Sequence, residues 1–270
     1  MLSGKLLLKT EAARLFLRHV GIDADPIKEY DAFKQACSQA NPRYKGDRDL
    51  VRFQLEENTS TWDPDLCDAT MLLARELGMF NEKRFDRTVA KIGLALGGAR
   101  RSPLHRACYI AEDIVRGKIK VDVLVVAGST RPLNEAEQAT VQDFAPGAQT
   151  EISLCDGAAD FIKRKLPNQS VKVVCNDDPR SGNRGVIAQV IEEIGYNQPI
   201  NSLIACTTGI YRTALMFDLM LAKKDHNLTY VDAAGHPSDP EMIFNRTVAT
   251  YLSENLTTIS KAADVAAIGL

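Results

Sequence analysis

Hydrophobic positions along the chain fall into two regimes. From Lys5 to about residue 99 they recur at helical spacing, and each run is bounded by helix start and stop residues. Leu6, Leu7, Ala12, Leu15, Phe16 and Val20 predict a helix over Lys5 to His19, stopped by Gly21. Asp25-Pro26 opens a second helix that runs to about Ala40 and ends at Asn41-Pro42, because proline is tolerated in a first turn but not in an interior. A short helix over Asp47 to Glu57 follows, then a polar loop from Asn58 to Thr61, with Trp62 as an anchor beside the next start at Asp63-Pro64. That helix runs to Leu77, and Asn81 caps another over Lys83 to Leu96, closed by Gly97-Gly98.

The second regime alternates apolar runs with helical periodicity. Val121 to Gly128 is almost continuously apolar, as expected of a parallel strand covered on both faces. Asn134 caps the following helix, Glu151 to Leu154 predicts a short strand, and Asp156 to Lys165 a helix. Val171 to Cys175 is a strand leading to a helix over Gly185 to Ile194. Leu203 to Ala205 then runs through a turn at Cys206 to Gly209 into a helix carrying Ile210, Ala214, Leu215, Phe217, Leu219 and Leu221. Leu228 to Ala233 is the last strand, and Asp239-Pro240 starts a helix to about Ser260, with Lys261 to Leu270 as a tail. Alternation on this scale predicts an α/β fold: a Rossmann-like, doubly wound, mainly parallel sheet from residue 100 to 270, preceded by an all-helical region over 1–99.

Composition changes this picture little. The 270 residues carry a formal net charge of −2, which gives no electrostatic reason to expect a nucleic-acid or membrane partner. No apolar run approaches the roughly 18 residues of a membrane span, so a cytoplasmic protein is expected. Six cysteines are scattered singly with no metal-ligand spacing, and no metal is expected.

In an open α/β sheet, ligands sit beyond the carboxyl ends of the strands. Right-handed crossovers bring three polar loops to that edge: Gly128 to Arg131, Asn176 to Arg184, and Cys206 to Arg212. They offer Ser129, Thr130, Arg131, Ser181, Asn183, Arg184, Thr207, Thr208, Gly209 and Tyr211, with Asp177, Asp178 and Arg180 nearby. Backbone N–H groups, hydroxyls and guanidinium forks suit a small anionic or nucleotide-like ligand. Neither the GxGxxG nor the GxxxxGK[ST] phosphate loop occurs, and the sequence names no cofactor. Arg100, Arg101, His105 and Arg106 form a basic helix start, expected to be solvated, with the alternative that it reaches a phosphate tail where the Gly97-Gly98 loop folds over the sheet edge. His236 follows Gly235 after the last strand and reads as a surface loop histidine, with a role as an acid/base group as the alternative.

Two resemblances rest on these residues. Cys206-Thr207-Thr208-Gly209-Ile210-Tyr211-Arg212-Thr213 fits C-x-x-G-x-x-R-[ST] and resembles the phosphate loop of the cysteine-dependent protein phosphatases. That resemblance implies Cys206 as nucleophile, Arg212 as phosphate clamp and Asp178 as general acid. The broader order of Gly128, Ser181-x-Asn183, Thr207-Thr208-x-x-Tyr211-Arg212 and Gly235-His236-Pro237 is similar to the SanA/YdcF-like domains. It implies a Rossmann-like fold with a small-molecule or nucleotide-type ligand, S-adenosylmethionine included. A third reading makes the α/β part an inert scaffold and the helical region a partner-binding surface.

Overall fold

The computed structural model describes residues 3–23, 30–41, 63–86, 89–178, 181–196, 199–237 and 248–269. The starts at Asp25-Pro26 and Asp239-Pro240, the helix over Asp47 to Glu57, the loop before Trp62, Trp62 itself and Arg180 lie outside them.

The molecule is α/β, built on a five-stranded, all-parallel sheet of order β3-β2-β1-β4-β5. The strands are β1 (Val89–Leu96), β2 (Lys120–Ser129), β3 (Ser170–Asn176), β4 (Ser202–Thr208) and β5 (Tyr230–His236). The helices are α1 (Gly4–Leu7), α2 (Glu11–His19), α3 (Tyr30–Ala40), α4 (Pro64–Glu76), α5 (Ser102–Val115), α6 (Glu135–Ala139), α7 (Glu151–Lys165), α8 (Gly182–Gly195), α9 (Arg212–Asp225) and α10 (Val248–Ala267). The fold is Rossmann-like and doubly wound, as the alternation of periods predicts.

Its central strand is the chief departure from the sequence reading. Val89 to Leu96 is not the end of a helix starting at Lys83; it is β1, hydrogen-bonded to β2 on one side and β4 on the other. Gly93 explains the choice. A Cβ there would stand 3.2 Å from Val121 Cγ1 and 3.4 Å from Ile110 Cγ2, so the strand is pressed against its neighbours. Glycine weakens a helix interior but serves close approach in a strand.

The sheet-bearing unit therefore starts well before residue 100. It comprises Glu82–Thr208 and Asp218–His236, whereas Met1–Asn81, Gly209–Phe217 and Pro237–Leu270 form a second compact unit. In the sheet unit, Leu124, Ile110, Leu154 and Ile162 are fully buried in one core. Each such side chain contributes about 1.5–3 kcal/mol by leaving water.

In the helical unit, Phe16, Leu17, Leu73 and Ile259 are fully buried. Asn255 Nδ2 donates to Thr70 O at 2.8 Å, and Asn41 Nδ2 to Ser253 O at 3.1 Å, joining α10 to α4 and to the end of α3. The expected single helix over Lys5 to His19 is two, because Thr10 caps α2 by accepting from Ala13 N at 3.2 Å. The expected strand at Glu151 to Leu154 is instead the first turn of α7, and α10 continues through the expected tail to Ala267. Among the described residues no helix is long and apolar enough to cross a membrane.

Candidate functional site

Strand order fixes where a ligand would sit. The chain winds from β1 outward through β2 to β3, then returns to β4 and β5 on the other side of β1. The order thus reverses between β1 and β4, and the carboxyl ends of strands at such a reversal are the usual ligand position in open α/β sheets. Residues 97–101 leave β1 there and lead into α5. Gly97 is obligatory by contact, since a Cβ would lie 2.8 Å from Gly128 Cα and 2.9 Å from Ala127 O. Gly98 has φ of 144° and Arg100 φ of 53°, so the loop turns through backbone that side chains rarely adopt. Arg100 projects from it exposed, whereas Arg101 is held by Asp143 at 2.8 and 2.7 Å.

Arg106 is not part of a solvated helix start. It is only 6% exposed, and its Nη1 donates to Leu96 O at 3.0 Å and to Gly97 O. Its Nη2 donates to Thr208 Oγ1 at 3.2 Å, and Thr208 Oγ1 shares a hydrogen bond of 3.2 Å with His236 Nε2. One guanidinium thus ties β1 to β4, and one hydroxyl ties β4 to β5, all at the sheet's carboxyl edge. His236 is therefore the buried last residue of β5, not a surface loop histidine. Its ring lies 6.1 Å from that of His105 and 6.2 Å from that of Tyr109. Tyr109 donates to Glu82 Oε1 at 2.8 Å while the Arg84 guanidinium lies 3.6 Å over its ring. Burial, then the Glu82 hydrogen bond, pushes the Tyr109 hydroxyl above its ordinary range, so it stays a donor.

A second polar group surrounds the end of β2. Ser129, 7% exposed, donates to Glu151 Oε2 at 3.0 Å. Arg131 grips Glu137 with two hydrogen bonds of 3.0 and 3.1 Å, and its Nε stands 3.5 Å from Glu151 Oε2. Burial opposes ionisation of Glu137, yet the Arg131 fork and the Asn134 N–H outweigh it and hold this carboxyl below its usual range. Arg131 is committed to two carboxylates. Its guanidinium is therefore engaged within the protein rather than open to the anionic ligand for which the sequence offered it. Gly128 serves packing, as its missing Cβ would meet Cys155 Sγ at 2.7 Å, and Thr130 is exposed beside the group.

The loop after β3 starts beside the end of β2, where Asn176 pairs with Ser129, but is remote from the Thr208–His236 group. Three strand spacings separate β3 from β4, about 14 Å at 4.8 Å each. Locally, Asn176 Nδ2 donates to Ser181 Oγ at 2.7 Å and to Asp178 O at 2.9 Å, while Asp178 N donates to Asn176 Oδ1 at 3.2 Å. Ser181 thus closes a turn. Arg184 lies 3.3 Å from Asp225, and Asp177 accepts from Cys175 Sγ at 3.7 Å. Asn183 is half-buried in the first turn of α8.

The string C-x-x-G-x-x-R-[ST] does not form one loop. Cys206, Thr207 and Thr208 are still in β4, where Cys206 pairs with Ala95 on one side and Ala234 on the other. Gly209 to Tyr211 is a 3₁₀ turn, and these residues belong with the helical unit. Arg212 opens α9, its Nη2 3.7 Å from where a Gly78 Cβ would stand, and Thr213 Oγ1 donates to Leu77 O at 2.7 Å. Cys206 is 0% exposed, and burial pushes its thiol up to about 12 despite Arg106 nearby. A nucleophilic cysteine needs the opposite, an accessible thiolate. Asp178, three strands away, is out of hydrogen-bond reach of any group reacting at Cys206.

Sequence reasoning missed Glu82, Tyr109 and Glu151, and gave Arg106 the wrong setting. A strand read before Gly97-Gly98 would have made that pair the first strand-to-helix loop of the sheet.

No family model matches the chain. An uncharacterised protein of Mycobacterium bovis is 36% identical over 92 residues, which is 34% of this chain and 25% of that protein. Uncharacterised proteins of two Mycobacterium tuberculosis strains match with the same identity and coverage. The match therefore spans about a quarter of these relatives. Among solved structures, FtsY from Mycoplasma mycoides aligns over 94% of this chain and 97% of its own at 11% identity and a TM-score of 0.25, too slight a likeness to bear on fold or function.

Proposed function

We propose that the chain binds a phosphate-containing, nucleotide-like small molecule at the carboxyl edge of the sheet, over the reversal between β1 and β4. One observation carries this reading: the strand order β3-β2-β1-β4-β5 reverses beside the Gly97–Arg101 loop. There Gly98 and Arg100 adopt positive φ and α5 begins, although Ser102 N already donates to Ala99 O at 3.2 Å and Pro103 has no N–H to offer. Such a loop followed by a helix start favours an anion through the positive end of the helix dipole. Arg100 adds an exposed positive charge. The Thr208–His236 pair one strand away supplies a hydroxyl and an imidazole, enough for proton transfer if the ligand is also a substrate.

Isothermal titration of the full chain with ATP, ADP, NAD and S-adenosylmethionine tests the reading. At least one nucleotide is expected to bind saturably, and Gly98→Ala, strained by about 1–3 kcal/mol at a positive φ, is expected to weaken it. No saturable heat from any of the four would overturn the proposal.

A further inference from the structure

An inference that rests on the function just proposed comes from a row of groups at the carboxyl ends of β1, β4 and β5. Cys206 pairs with Ala95, so Thr208, two residues on, stands level with Gly97, one strand spacing or about 4.8 Å away. Thr208 pairs in turn with His236. Paired positions of parallel strands present their side chains to the same face, and this face is covered by α5, which supplies Arg106. Loop, hydroxyl and imidazole form one line, with the guanidinium lying across it.

The hydrogen bonds along that line have a direction. A guanidinium only donates, so Thr208 Oγ1 accepts from Arg106 Nη2 at 3.2 Å. Its own proton is left to point at His236 Nε2, also 3.2 Å away, which accepts it in the tautomer that carries its proton on Nδ1. A hydroxyl set between a base and a fixed positive charge is an activated nucleophile: the base removes the proton and the charge stabilises the oxygen left behind. Thr208 is 5% exposed and His236 7%, so little water screens that charge.

Charge also selects the electrophile. Arg106, the exposed Arg100 and the positive end of α5 favour an anionic group over a neutral ester or amide. Positioning and electrostatic stabilisation of this kind are what phosphoryl transfer needs from a protein.

We propose that the chain hydrolyses the terminal phosphoanhydride of a nucleoside triphosphate through a phosphothreonine, with Thr208 as nucleophile and His236 as general base. Thr208 Oγ1 bonds to the terminal phosphorus, the bridging P–O bond breaks, the nucleoside diphosphate leaves and the hydroxyl proton passes to His236 Nε2. Water then attacks the phosphothreonine. Its hydroxide joins phosphorus and its proton goes to solvent, while the imidazolium returns its proton to Thr208 Oγ1 as the second P–O bond breaks. Arg106 stabilises the charge on Oγ1 in both steps.

The test incubates the full chain with magnesium ATP radiolabelled in its terminal phosphate. Phosphate release above that of buffer alone is expected, with an acid-stable label that peptide mapping places on Thr208. ATP made chiral at its terminal phosphorus is expected to give phosphate of retained configuration, because two in-line displacements cancel. Thr208→Val and His236→Gln are each expected to slow phosphate release at least about 100-fold, while ATP affinity stays within about threefold by titration. Thr208→Ser, which keeps the hydroxyl, is expected to keep turnover. Inverted configuration, an acid-labile label on His236, or binding of any of ATP, ADP and NAD without ATP turnover would overturn the inference and leave nucleotide binding standing. Saturable binding by none of ATP, ADP, NAD and S-adenosylmethionine would instead remove the function on which it rests. Stereochemistry and label position are read on the wild type, so they decide the matter even where a variant fails to fold.

Discussion

Cys206 lies in the middle of a parallel sheet with Ala95 and Ala234 paired beside it, and its thiol behaves there as a small apolar group. Its folded pKa is raised to about 12, so the neutral form favours the native state. That stability is fully present below the ordinary thiol value, about 8.5, and is lost as pH rises toward 12. Native protein treated with iodoacetamide near pH 8 is therefore expected to leave Cys206 unmodified by peptide mass mapping. Cys206→Ala is expected to bind nucleotides as the wild type does. Rapid alkylation, or loss of binding on removing the sulfur, would contradict this burial. The other residues that sequence singled out divide by what holds them. Thr208 stays at the site because Arg106 and His236 both bond to it. Arg131 leaves it because Glu137 and Glu151 saturate its guanidinium. Composition and spacing show that a residue is polar and near a strand end; they do not show which neighbour neutralises it.

At the level of elements, β2, β3, β4 and β5 were legible because each is a short, dense apolar run between turn residues. β1 was not, since Asn81 upstream and Gly97-Gly98 downstream frame Lys83 to Leu96 as a capped helix of ordinary length. Val89, Ile92 and Gly93 were the contrary signals. They are two β-branched residues and a glycine, all poor in a helix and suited to a crowded strand. Gly93→Ala separates the two readings by sign. In a helix it would stabilise by about 1 kcal/mol; in β1, against Val121 and Ile110, it is expected to destabilise by about 1–3 kcal/mol in urea unfolding. The same error hid Arg106, whose partners Leu96 O and Gly97 O are at the end of that unrecognised strand. Glu151 is hidden differently: Glu151 to Leu154 has the pattern of a short strand, whereas it is the start of α7, packed behind Gly97 and Gly128.

For the whole molecule, the two compact units do not follow chain order. Each draws on separate stretches of sequence, the helical one on residues before and after the sheet. A boundary at residue 99 would divide β1 from every strand it pairs with. A fragment spanning 100–270 would lack the strand that β2 and β4 both bond to, exposing two interior edges to water. It is expected to aggregate or to lack native circular dichroism, whereas a folded, monomeric 100–270 fragment would show that β1 is dispensable. The position of β1 also underlies the proposed site: without a central strand there is no reversal of strand order for the Gly97–Arg101 loop to stand beside.

The most direct measurement is calorimetric titration of ADP and NAD into the wild-type chain, Arg100→Glu, and Lys172→Glu as an exposed control on β3. Saturable one-site binding is expected in the wild type, about tenfold weaker in Arg100→Glu, a loss of about 1.4 kcal/mol, and unchanged in Lys172→Glu. Absence of binding, or equal weakening by both reversals of charge, would mean that the carboxyl edge between β1 and β4 is not where this protein meets a nucleotide.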